Sequence, residues 1–148
     1  MKKYLRWLSI PIEVRFYEVD SYNIVNNMYY LSWFEMGRFA IAEKAGLLVD
    51  RFREELLAFV VLEAKVRYFK PVTFVTKIEC QSCISKVEKS RIKFLHKIVN
   101  SVTKEIMAEG ETTVVLTRNG TLLLDMPEWV KFKINRYISE FQGGVKND

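Results

Sequence analysis

Apolar and polar positions follow two periods along this chain. From Ile10 to Tyr17, the residues Ile10, Ile12, Val14 and Phe16 alternate with Pro11, Glu13, Arg15 and Tyr17, which predicts a first, half-buried strand. Glu18 to Asn26 has no period and reads as a loop, with Asn23 where a left-handed backbone would suit a turn. From Asn27 to Ala45 the period changes to three-to-four, with Tyr30, Phe34, Gly37 and Ile41 on one stripe. Asn26 is the expected N-cap and Lys44-Ala45-Gly46 the stop. Trp33, Met36, Phe39 and Ala40 make this helix apolar nearly all round, so most of its circumference should be covered by a wrapping sheet.

Beyond a short helical turn at Asp50–Leu57, the pattern returns to period two. Val60, Leu62, Ala64, Val66 and Tyr68 predict one face of a second strand that Lys70-Pro71 closes, and Phe74–Ser85 predicts a third. After a polar turn at Lys86–Ser90 come Ile92, Phe94, His96 and Ile98, then a turn at Asn100-Ser101 and a fifth strand at Glu105–Arg118. Asn119-Gly120 is a strong hairpin signal, followed by an apolar run to Leu124. Asp125 or Met126 should cap a C-terminal helix that runs to Phe141, with a frayed tail from Gly143. No helices alternate with the strands, so the fold class is α+β, a helix on an antiparallel sheet. Residues 1–148 read as a single domain without internal repeats.

Composition narrows the class. With 49% hydrophobic and 28% charged residues in 148, the chain can build a core and is not a disordered segment. Twenty-three Lys and Arg against eighteen Asp and Glu leave +5, which favours anionic partners. The cations alternate with apolar residues instead of forming a block, which argues against a dedicated nucleic-acid patch. Arg6, Pro11 and Glu13 interrupt the basic N-terminus before any signal-peptide core develops, and no apolar run is long enough to span a bilayer. A cytoplasmic protein is therefore expected.

Most catalytic chemistries lack their residues. Cys80 and Cys83 form a C-x-x-C within a strand-like run, so their side chains should point to opposite faces as structural thiols. With His96 they fall short of a zinc ligand set, and no metal site is expected. His96 is the only histidine, lies on an apolar strand face, and has no G-x-S-x-G elbow to serve, so it reads as a packed residue. Glycines are too scattered for a nucleotide loop. What remains is Asp20, a carboxylate just before a helix N-terminus, where unpaired N–H groups gather. It either caps its turn or acts as a base or nucleophile beside an oxyanion donor.

Asp20-Ser21-Tyr22-Asn23-Ile24-Val25-Asn26-Asn27-Met28-Tyr29-Tyr30-Leu31-Ser32-Trp33-Phe34-Glu35-Met36-Gly37-Arg38 resembles the signature of hot-dog-fold acyl-CoA thioesterases of the 4-hydroxybenzoyl-CoA thioesterase family. Further likeness runs through Phe59-Val60-Val61, Val66-Arg67-Tyr68 and Pro71 to Met126-Pro127-Glu128. The resemblance implies a hot-dog fold, an antiparallel sheet wrapped around the long helix, paired edge to edge into a homodimer or homotetramer with sites at the interface. It implies hydrolysis of an acyl-CoA to free acid and coenzyme A without cofactor or metal. Asp20 would be the catalytic carboxylate and the Asn27 backbone N–H the donor polarising the thioester carbonyl. Asn23 stands where the family has Gly, and Glu35 and Arg38 are expected to form an ion pair one turn apart. Substrate contacts are expected at Tyr30 and, for the coenzyme A phosphates, at Lys70, Lys86, Lys89 and Arg91. Acyl carrier protein thioesters, a hot-dog hydratase or dehydratase, and a non-enzymatic acyl-CoA binding module are the alternatives.

Overall fold

The computed structural model describes residues 5–144, with side chains as far as Glu140; the expected tail beyond Gly144 lies outside the described residues. Strands β1 (Leu8–Ile12), β2 (Leu57–Tyr68), β3 (Ile78–Glu88), β4 (Arg91–Asn100), β5 (Ile106–Arg118) and β6 (Thr121–Leu122) form one antiparallel sheet. Its order is β1-β3-β4-β5-β2, with β6 pairing β5. Helix α1 (Tyr29–Ala45) lies on the concave face, α2 (Val49–Glu54) links it to β2, and α3 (Glu128–Gly144) closes one end. No helix among the described residues is long and apolar enough to cross a membrane.

The first strand is shorter than its alternation suggests. Ile12 pairs with Ile78, the first residue of β3, so no backbone partner exists beyond it, and Phe16–Glu18 turns into a short 3-10 helix. Phe74–Ser85 likewise begins later, at Ile78, because Thr76 N–H donates to the Thr73 carbonyl and the two hydroxyls meet at 2.9 Å, folding that stretch into a turn. In β2 a bulge at Leu62 changes the outcome more deeply. It reverses the facing, so Phe59 and Val61 turn toward α1 instead of Val60 and Leu62, while Ala64, Val66 and Tyr68 keep the expected side. The turn at Asn119-Gly120 takes positive φ at both residues, 50° and 81°, as the hairpin requires.

Two packed clusters hold the helix to the sheet. Tyr30, Trp33 and Phe34 pack on Val72, Ile78, Cys80, Ile98 and Met107 near its start. Ile41 and Ala45 pack with Ile84, Phe94, Val114 and, from α3, Val130 and Ile134 near its end. Gly37 sits where an added Cβ would run into the Ser82 hydroxyl, and at Gly110 it would meet the Phe34 ring, so small residues set the close approach of α1 to the sheet. Gly46, at φ 85°, ends the helix as expected.

The wrapping is one-sided within a single chain. Leu31, Met36 and Phe39 on α1 are 43–64% exposed, and Val60, Val61 and Leu62 on β2 are 45–47% exposed. Among the described residues, strand β2 pairs with β5 on one side only, leaving a twelve-residue free edge.

Candidate active site

Asp20 opens a tight loop whose backbone is tied across itself. Val19 pairs with Val25, Asp20 N–H donates to the Ile24 carbonyl and Asn26 N–H to the Glu18 carbonyl. The Asp20 Oδ1 accepts the N–H groups of Tyr22 at 2.9 Å and Ile24 at 3.2 Å, so the carboxylate shapes its own turn. Asn23 takes φ 62°, the left-handed conformation for which its residue type is suited. Asp20 is exposed, and its Oδ2 accepts no hydrogen bond from the described residues. The carboxylate is thus half engaged by the backbone and half free.

The helix begins two residues later than the sequence predicts. Asn26 Oδ1 accepts the Met28 N–H at 3.1 Å, making a local turn there instead of capping a helix from Asn27. Tyr29 and Tyr30 N–H groups close on the carbonyls of Asn26 and Asn27, whereas the Asn27 N–H finds no acceptor among the described residues. An unpaired amide at the positive end of a seventeen-residue helix is an anion-stabilising donor. The carboxylate and this amide lie on the same short loop, held by Val25 N–H donating to the Val72 carbonyl at 2.8 Å.

At the Asn27 end of this loop opens a groove of about 270 Å³ lined by Ile24, Asn27, Tyr30, Tyr68, Lys70 and Pro71, among others, with Asp20 outside the lining. The Tyr68 hydroxyl donates to the Asn27 carbonyl at 3.1 Å and its ring meets Tyr30 edge-on, centroids 4.9 Å apart. Tyr30 itself is 3% exposed, and burial raises its phenol pKa against a hydrogen bond with the Val72 backbone. Tyr30 is therefore a wall of the groove, and Tyr68 is the hydroxyl that reaches the donor loop. Tyr68 is not among the residues the sequence motif marks; its one signal there is an aromatic closing a strand next to Lys70-Pro71.

The four expected cations separate. Lys70 lines the groove and pairs with Glu105. Lys86, Lys89 and Arg91 sit around the β3–β4 turn, at the other end of the sheet from Tyr68; β4 alone spans about 30 Å. Within one chain they do not join the Asp20 loop. Lys86 pairs with Glu88 at 3.6 Å.

Arg38 forms no ion pair with Glu35 among the described residues. Its Nη1 donates to Thr112 Oγ1 at 3.1 Å, the first link of a buried polar chain. Thr112 Oγ1 lies 2.8 Å from His96 Nε2, His96 Nδ1 lies 2.7 Å from Ser82 Oγ, and Ser82 lies 3.6 Å from Cys80 Sγ. His96 is 1% exposed and stacks on Phe34 with centroids 4.4 Å apart. Burial, aided by the Arg38 charge, pushes its pKa down to about 3, so it is a neutral, hydrogen-bonded core residue, as its place on the strand suggests. Cys80 and Cys83 are buried, free and three strand positions apart, hence on opposite faces, and burial lifts both thiols to about 11.

The family model described as the thioesterase-like superfamily matches residues 14–134. Acyl-acyl carrier protein thioesterase ATL3 of Arabidopsis thaliana is 24% identical over 132 residues, 89% of this chain and 70% of that protein. Acyl-CoA thioester hydrolase YbgC of Escherichia coli O157:H7 is 26% identical over 110 residues, covering 74% and 79%. The crystal structure of a DHNA-CoA thioesterase from Staphylococcus aureus superposes with a TM-score of 0.81 at 19% identity, covering 95% of this chain and 97% of that one. The match spans the Asp20 loop, the central helix and all the long strands, and the chain belongs to the thioesterase-like superfamily of hot-dog folds.

Proposed function

We propose that this thioester hydrolase cleaves an acyl-CoA to the free acid and coenzyme A at the Asp20–Asn27 loop. The observation that carries this reading is a loop that holds a carboxylate oxygen and, seven residues on, a backbone N–H that lines an open groove, both without partners among the described residues. The thioester carbonyl takes the Asn27 N–H, at the helix terminus, where negative charge develops in the tetrahedral transition state. Asp20 then acts either by drawing a proton from water or by attacking the carbonyl carbon itself. In either route water supplies the oxygen of the acid, and the coenzyme A thiolate leaves and is protonated. Tyr68 steadies the loop by holding the Asn27 carbonyl, and Lys70 stands at the groove as a contact for the anionic carrier.

The second copy expected from the sequence supports the same reading. The free β2 edge and the exposed Leu31, Met36 and Phe39 on α1 offer a second copy of the chain a strand to pair with and an apolar helix face to cover. Pairing of two β2 edges gives a homodimer whose grooves open along the joint. Lys86, Lys89 and Arg91 reach coenzyme A in this reading only from the partner.

A carrier-protein thioester would undergo the same chemistry at the same loop, and YbgC and ATL3, named for the two carriers, are about equally similar to this chain. A hydratase is disfavoured by His96, which is walled in with both ring nitrogens hydrogen-bonded to hydroxyls and none left for a substrate. The test is thiol release from one acyl group presented on coenzyme A and on acyl carrier protein. Release from coenzyme A at comparable or greater kcat/KM supports the reading. Release from the carrier protein alone transfers it to that substrate, and release from neither, with the acyl-CoA bound unchanged, overturns it in favour of a binding module.

A further inference from the structure

The outer face of the sheet, turned away from α1, carries an opening that the proposed reaction does not use. It is a trough of about 260 Å³ over β2, β5 and β4. Val66 packs inward against the core, so its neighbours Lys65 and Arg67 point outward, two residues and about 7 Å apart along β2. Two strand spacings away, about 9.5 Å, Leu95 and Lys97 face out from β4. Trp7, just ahead of β1, reaches across β3 to close that side, its ring centre 4.4 Å from Lys97 Nζ.

Cross-strand register places Glu109 of β5 directly between Arg67 and Lys97, and Glu111 between Lys65 and Leu95. Opposite charges in such positions attract across the sheet and are able to close into ion pairs. Glu111 does close, on Lys93 at 3.3 Å. Lys65, Arg67, Lys97 and Glu109 enter no ion pair among the described residues. The trough therefore sets three cations against one free carboxylate, beside an apolar strip made by Trp7 and Leu95.

This combination selects a class of ligand. A bare polyanion would use the cations but meet Glu109 and leave the apolar strip uncovered, and an apolar molecule would leave three charges unanswered. The set matches a molecule with an anionic group at one end, a flat ring at the other and hydrogen-bond donors between. Phosphate oxygens suit the Arg67 fork and the Lys65 ammonium, a ring lies against Trp7 and Leu95 near Lys97, and an amino or hydroxyl group donates to Glu109. We infer that the outer trough is a binding site for a nucleoside phosphate. It stands apart from the Asn27 groove, because Tyr68 lines that groove while its neighbour Arg67 turns to the opposite face of the strand. The ligand is either a free nucleotide or the nucleotide end of a coenzyme A molecule, which present the same chemistry.

The experiment is calorimetric titration with adenosine 3′,5′-bisphosphate, adenosine and inorganic phosphate, for the wild type, Lys65→Ala, Arg67→Ala and Glu109→Gln. Urea unfolding and sedimentation accompany each protein. The bisphosphate should bind once per chain, about tenfold or more tightly than adenosine or phosphate alone. Lys65→Ala and Arg67→Ala, both at exposed positions, should each weaken it by about tenfold with the unfolding midpoint unchanged. Glu109→Gln should weaken the bisphosphate about threefold to tenfold without weakening inorganic phosphate. Acyl-CoA turnover with the bisphosphate present separates the two sources, and either result sustains the site. A raised KM that Arg67→Ala abolishes gives it to the carrier's own nucleotide end, and an unchanged KM gives it to free nucleotide. Absence of saturable binding, equal affinity for inorganic phosphate, or affinity unchanged in both Lys65→Ala and Arg67→Ala overturns the inference. So does an Arg67→Ala protein that dissociates into smaller assemblies while still binding the nucleotide, since the face is then a contact between copies. Calorimetry needs no turnover, so the site stands or falls separately from the hydrolase reading.

Discussion

Two polar regions touch helix α1, and they are built to opposite specifications. At its N-terminus, Asp20 and Asn27 are exposed, and among the described residues each keeps one hydrogen-bonding group unspent: a carboxylate oxygen and a backbone amide. Midway along, Arg38, Thr112, His96, Ser82 and Cys80 form a chain in which both His96 nitrogens have partners within 2.8 Å. The central chain contains the residue types usually associated with catalysis, yet saturation leaves them nothing to offer a substrate. The proposed reading puts the chemistry where a group is oriented but not satisfied, whereas the buried chain spends the same kinds of groups on fixing the helix to the sheet.

Asp20→Asn tests the unsatisfied side most severely. The amide oxygen can still accept the Tyr22 and Ile24 N–H groups, so the loop should keep its shape and stability should stay within about 0.5 kcal/mol. Thiol release should nonetheless fall by about 10² to 10⁴, because the proposed base or nucleophile is gone. Urea unfolding measured beside the kinetics separates the two effects; retained activity would place the chemistry elsewhere.

His96→Ala applies the same logic to the saturated side. It removes a ring stacked on Phe34 and strands the Ser82 and Thr112 hydroxyls in the core, for an expected loss of about 3 to 5 kcal/mol in unfolding free energy. Activity per folded molecule should be unchanged. If stability held while turnover vanished, the two regions would have exchanged roles and a histidine-dependent reaction would return to favour.

This contrast was partly legible beforehand. The loop motif, the helix stop at Gly46 and the inward face of Phe94, His96 and Ile98 can all be read from spacing, because local backbone preference and burial agree there. The facing of β2 ahead of Leu62 is not readable, since a bulge is decided by pairing with β5 and leaves no mark on a uniformly apolar run. Arg38 misled for a related reason. Its spacing from Glu35 suits an ion pair, but Thr112, seventy-four residues away, offers an inward acceptor that only the fold brings close. Lys86, Lys89 and Arg91 resemble Lys70 in sequence as strand-end cations, and the sequence does not say which end of a sheet a turn occupies.

The buried histidine also gives the comparison a pH signature. Its folded pKa, about 3, lies below the ordinary value of 6.5, so the unfolded chain binds a proton that the folded one refuses. Stability from this group is complete above pH 6.5 and declines as pH falls toward 3, with unfolding free energy rising with pH through that window. Between pH 6.5 and 4 the decline should be about 3 kcal/mol at one proton per molecule. Urea unfolding at several pH values, with His96→Gln to remove the slope, checks it. A variant that kept the wild-type slope would assign the acid sensitivity to the carboxylates instead.

The smallest effect probes the seam between the regions. Tyr68 belongs to neither set, being partly exposed, yet its hydroxyl holds the carbonyl of the residue whose N–H is the proposed donor. Tyr68→Phe keeps the ring against Tyr30 and removes one hydrogen bond worth about 0.5 to 1.5 kcal/mol. If that bond matters chiefly for orienting the loop in the transition state, kcat should fall about threefold to tenfold with KM nearly constant. If it only anchors β2 to the loop, the loss should appear in unfolding free energy with kcat unchanged. A rise in KM alone would assign the hydroxyl to substrate binding, and the donor loop would then owe its orientation to Asn26 and Val72 without help from the strand.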